Sequence, residues 1–118
     1  MIPRATVAAA LGLPGDTDAL PPGDLPLDRF MARYVAYLGT EAPGTGTPDA
    51  WTGVVMDALI ETDPELAFAA LRAGLAMDTG GRLADPLAEL GCRPGWAERI
   101  EAEAEDDPVL AARLDTGA

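Results

Sequence analysis

No histidine, lysine, serine, asparagine or glutamine occurs anywhere in this chain, and there is one cysteine. Without Ser or His no Ser-His-Asp triad forms, and Cys92 has no histidine to activate it. Zinc, copper and haem sites built on His or several Cys are excluded on ligand count. The missing lysine removes Schiff-base chemistry and the phosphate-binding lysine of a P-loop. A lone cysteine makes no internal disulfide, and Met1 to Leu13 lacks the basic flank and long apolar core of a secretory signal, so a cytoplasmic location is expected. Cys92, between Gly91 and Arg93, reads as a small packing residue. Aromatics are scarce too: two each of Phe, Tyr and Trp among 118 residues make Trp51 and Trp96 the expected anchors of an alanine-rich core.

What is abundant is negative charge. Twenty carboxylates against eight arginines give a net charge of −12. Such a field repels phosphate backbones and anionic membranes, which argues against direct nucleic-acid or membrane binding and favours a basic protein partner. The plainer reading is that acidity keeps an alanine-rich domain in solution.

The stretch from Asp63 to Gly81 organises the rest. Asp63 is an N-cap and Pro64 a first-turn proline. From Leu66 to Met77 only Arg72 is charged, which predicts a helix over 63–78 with almost no face for water, stopped by Gly80-Gly81. It is too short, with flanks too acidic, for a membrane span. A stripe of Leu27, Phe30, Met31, Tyr34 and Leu38 predicts a helix over 27–38, with Arg29, Arg33 and Tyr37 on its outer side. Thr47-Pro48-Asp49 starts another, lined by Trp51, Val54, Val55, Ala58 and Leu59, and the turn at Thr62-Asp63 makes it a neighbour of the central helix.

Short helices are expected from Pro86 to Leu90, from Pro94 to Glu105, and from Asp107-Pro108 onward. Asp-Pro recurs at 63, 85 and 107, but the intervening segments differ, so these are helix starts and not a repeat. Residues 1–26 combine an alanine-rich turn of helix, Arg4 to Leu11, with a Pro/Gly-rich linker. Asp16 and Asp18 open like a calcium loop, but Leu20 stands where the third ligand belongs. The expected architecture is therefore all-α, about five helices around a central apolar helix, with an N-terminal arm at 1–26 and one helical domain at 27–118.

The sharpest charge feature is the run EAEAEDD. Helical spacing lines Glu98, Glu101 and Glu105 along one side, with Glu103 turned away and Asp106 and Asp107 following. Arg99 alone balances them locally. The candidate partner-binding residues are thus Glu98, Glu101, Glu103, Glu105, Asp106 and Asp107, with Arg29 and Arg33 as a separate basic patch. No catalytic, metal or cofactor residues are expected; a carboxylate acid-base pair needs a desolvated member, and nothing in the pattern supplies one.

Pro86, Leu87 and Leu90, then Ile100, Glu101, Ala104, Asp107 and Pro108, together resemble a bacterial family of small, acidic, all-helical domains of unknown function. Asp85 and Ala88 depart from that family's Gly and Glu. The resemblance implies a helical fold and no known catalytic residues. Three functions follow as expectations: an acidic inhibitor of immunity or anti-defence (anti-CRISPR-like) type that covers a basic surface of a nuclease or effector; a structural or assembly subunit tethered by its arm; and an enzyme restricted to carboxylate chemistry.

Overall fold

The aspartate expected to cap the central helix does so: Asp63 Oδ1 accepts from the Leu66 amide at 3.3 Å, with Pro64 in the first turn. A computed structural model describes residues 1–14, 23–39, 50–78 and 81–116 of the chain. Among these residues there are seven α-helices: α1 (Arg4–Ala10), α2 (Leu27–Leu38), α3 (Ala50–Thr62), α4 (Pro64–Gly74), α5 (Ala84–Gly91), α6 (Trp96–Glu105) and α7 (Pro108–Thr116). A 3-10 turn, Leu75–Met77, continues α4. The fold is all-α as expected. α1 and α5, although short, are each held by the core. The Thr47-Pro48-Asp49 start, the loop before it, the Asp16-Asp18 pair and Gly80 lie outside the described residues.

α4 is central, packing against α2, α3 and α5. It ends sooner than its composition predicts. Gly74 faces α2 so closely that an added Cβ would lie 2.6 Å from Met31 Cε and 3.3 Å from Leu83 Cδ1. The glycine lets the helices approach, and beyond it the backbone tightens into the 3-10 turn. Nor is α4 without a wet face: Ala69, Arg72 and Ala73 are exposed, as is Ala76 in the turn that follows. Alanine tolerates either environment, so an Ala-rich run does not reveal which side is covered.

The N-terminal segment is no free arm over its described length. Ile2 is fully buried and exchanges backbone hydrogen bonds with Leu25 at 2.7 and 2.8 Å, the single β-bridge among the described residues. Val7 joins the same core and α1 rests on α3. Burying a side chain the size of Ile2 is worth about 1.5–3 kcal/mol, enough to hold a short segment down.

The buried face of α3 is Thr52, Val55, Met56, Leu59 and Ile60, rotated from the expected one. Val54 is 49% exposed and Trp51 half-buried against Phe30. Apolar residues are spread round α3, Trp51, Val54, Val55, Met56, Leu59 and Ile60 among them, so its neighbours and not its period choose the face. Tyr37, expected on the outer side of α2, instead lies over Gly53, its ring 3.0 Å from where a Cβ would stand. The rest of the α2 stripe is as predicted, with Phe30, Met31 and Tyr34 buried.

α5 starts one residue before Asp85-Pro86, after a turn that a distant group fixes. Asp78, 1% exposed, accepts from the Arg82 amide at 2.8 Å and the Leu83 amide at 2.9 Å. A buried carboxylate must find such donors. α6 likewise starts at Trp96, after Gly95 in the left-handed region (φ 81°), where a side chain would be strained. Asp107 caps α7 as expected, accepting from Val109 and Leu110. Cys92 is exposed, contrary to its expected packing role, because the turn that closes α5 points it outward. No helix among the described residues is long and apolar enough to cross a membrane.

Candidate functional site

Trp96 fixes the orientation of α6. It is buried edge-on against Phe68 of α4, ring centroids 5.7 Å apart. Long side chains bridge the two helices on either side of this pair. Arg99 lies over the Trp96 ring, 4.5 Å from its centroid, and binds both carboxylate oxygens of Glu65. Arg72, 5.7 Å over Phe68, reaches Glu103 at 3.0 Å and Asp107 at 3.1 Å. The ring contact at each arginine, with the bidentate pair at Arg99 and the two carboxylates bridged by Arg72, makes each more than a single surface ion pair, although both are about 40% exposed and screened by salt.

The predicted acidic run is therefore divided. Glu103 and Asp107 belong to the fold, held by Arg72, a cation 31 residues away in sequence from Glu103. Arg99, the expected local counter-charge, is committed to Glu65. Glu98, Glu101, Glu105 and Asp106 are exposed and take no cation among the described residues. Arg29 and Arg33 are exposed on α2, which packs on α3, α4 and the 3-10 turn, whereas α6 packs on α5 and α7. The basic pair and the acidic ridge are not brought together.

Beside the ridge lies a groove of about 510 Å³ between α5, α6 and α7. Leu87, Ile100 and Leu114 form its apolar floor, and Glu101 and Glu105 stand on its α6 lip. Sequence reading missed this groove. Its only signal was the spacing of small residues, Ala97 and Ala104, one turn and another from Glu101.

A second acidic group lies on α3 and α5, where the sequence shows Asp57 and Glu61 as a repulsive pair four residues apart but not their neighbour Glu89. Burial raises the Asp57 carboxyl, helped by the Glu61 charge; burial, then the charges of Asp57 and Asp85, raises Glu89. Tyr34 is pushed well above the usual phenol range by burial first and by Asp57 and Glu89 next. These are repulsive neighbours on α3 and α5. Asp107 is the opposite case: the Leu110 amide and Arg72 hold its carboxyl below the usual range. Among the described residues no group of three His, Cys, Asp or Glu is arranged to hold a metal ion.

The residues that carry the family resemblance are used structurally: Pro86, Leu87, Leu90 and Ile100 are buried and Asp107 is a cap. Compared with protein-family models, curated proteins and solved structures, the chain matches none.

Proposed function

We propose that this chain is a non-enzymatic acidic protein-binding protein. In this reading it is an inhibitor of the immunity or anti-defence (anti-CRISPR-like) type, covering a basic surface of a cytoplasmic nuclease or nucleic-acid-binding effector. The observation that carries it is the division of the acidic run. A fold that neutralises Glu103 and Asp107 leaves Glu98, Glu101, Glu105 and Asp106 exposed and without a cation among the described residues, on a chain of net charge −12. A surface of that kind attracts and orients a basic partner, raising its association rate. The alternative is a structural or assembly subunit of a larger particle, tethered through the Pro/Gly-rich segment before Leu27. Membership of the acidic helical family belongs to the same proposal and adds no activity.

Affinity capture of the tagged chain from its native lysate at low salt, eluted by a salt step, tests it. A basic nuclease or effector released by salt, and lost when Glu98, Glu101 and Glu105 are changed to Arg, is the expected result. A partner that survives the charge reversal or stays bound at high salt overturns it.

A further inference from the structure

We propose that the groove between α5, α6 and α7 is the docking seat of a partner helix, amphipathic, with small apolar residues on one face and Lys or Arg along its flank. The proposal rests on the reading of the chain as an acidic protein-binding protein and names what that partner inserts.

Shape, length and charge each contribute. The walls are alanines: Ala97 and Ala104 on α6, Ala88 on α5 and Ala111 on α7. With no side chains beyond Cβ, the backbones lie near the surface, and an incoming helix can reach the short end of the 8–10 Å interaxial range. Ala97 to Ala104 covers about 10 Å of helix axis, room for two turns of an occupant presenting residues at i, i+3, i+4 and i+7. An extended peptide is a poor fit, because every described wall is helical and offers no strand edge to pair with.

Charge chooses the occupant's flank. Glu101 and Glu105 line the groove, and Glu98 lies beside them on the next turn, all three exposed and without a cation among the described residues. A second copy of this chain would bring its own negative charge against that lip. A basic helix is complementary to it.

The test uses three synthetic peptides of about 15 residues, long enough to form helix on binding. One carries Leu and Ala at helical spacing with Lys flanks, one has Glu in place of each Lys, and one has the Lys peptide's composition with its periodicity scrambled. Backbone amide shifts of the isotope-labelled full chain are followed by NMR. The Lys amphipath should move amides in α5, α6 and α7 and bind at least about tenfold more tightly than either control. Ala97→Trp and Ala88→Trp, both at exposed positions, should block it while leaving the helical circular dichroism intact.

No binding, equal binding of all three peptides, or shifts centred on α2 and α3 overturns the proposal. Self-association of the unliganded chain through the groove also overturns it, in favour of a second copy. The same tryptophan variants in lysate capture separate the two readings. Capture that survives them but is lost on charge reversal sinks the groove and keeps the acidic-inhibitor reading. Capture lost on filling the groove but indifferent to charge reversal overturns both, because the occupant's flank is then not basic.

Discussion

On the flank of α6 that faces α4, Glu103 accepts from Arg72, Arg99 grips Glu65, and both guanidinium groups lie over buried aromatic rings. On the flank that borders the groove, Glu101 and Glu105 stand exposed over alanines with no cation among the described residues. The side chains are the same and the local sequence, EAEAE, is nearly repetitive. What differs is the neighbour across the gap. Carboxylates that hold the fold are thus distinguished from those left exposed by tertiary contact, and mutation should separate them by which property each one moves.

The largest expected effect is on a carboxylate fully drawn into the fold. Asp78→Ala leaves the buried Leu83 amide and the partly buried Arg82 amide without their acceptor, and should cost about 2–3 kcal/mol in urea denaturation. Asp78→Asn, which keeps one acceptor oxygen, should recover part of it. A loss below about 0.5 kcal/mol would remove Asp78 from the folding class. Next comes Arg72→Ala, expected to cost about 1 kcal/mol once solvent screening is allowed for, with a coupling to Glu103 of about 0.5 kcal/mol in a double-mutant cycle.

Glu101→Gln and Glu105→Gln should sharpen the contrast from the other side. Their unfolding free energies should stay within about 0.5 kcal/mol of the parent, or rise slightly as like charges are removed. Their effect should instead appear as weaker binding of the Lys-flanked helix. A destabilisation as large as that of Arg72→Ala would place them with the folding carboxylates and break the comparison.

The smallest effects are those of pH. Asp107 has a lowered carboxyl in the folded chain, so its stabilisation is present above the unfolded value and is lost as pH falls through the folded one. Asp107→Asn should therefore be less stable than the parent at neutral pH, the gap closing in acid. Asp57 and Glu89 are raised, so each destabilises at neutral pH and is relieved as pH falls through its folded value. Asp57→Asn and Glu89→Gln should be more stable at pH 7 by less than about 0.5 kcal/mol each, with the advantage gone at low pH. Denaturation midpoints followed from pH 7 downward give both signs in one series.

Legibility in the sequence followed how much chemical contrast each segment holds. The α2 stripe was readable because Phe30, Met31 and Tyr34 alternate with Arg29 and Arg33, so only one face can be buried. The face of α3 was not, since Trp51, Val54 and Met56 are all apolar and packing alone ranks them. The caps at Asp63 and Asp107 were legible because donor and acceptor lie within three residues. The turn that leads into α5 was not, because Asp78 fixes it from outside the helix. At the candidate site, the ridge was visible as composition; its division and the groove beside it were not.

By itself the sequence determined the helical class, the positions of α2 and α4, the sign of the surface and the absence of every nucleophile-base pair that needs Ser, His or Lys. Those properties depend on residue identity and spacing over a few turns, within reach of local hydrogen bonds and periodicity. Only the tertiary structure decided that Ile2 is core, that Gly74 ends the central helix against Met31, and that Arg72 takes Glu103 and Asp107 out of the acidic ridge. Each of those depends on which groups meet across tens of residues, and Coulomb attraction, close packing and desolvation act on distance in space and not on position along the chain.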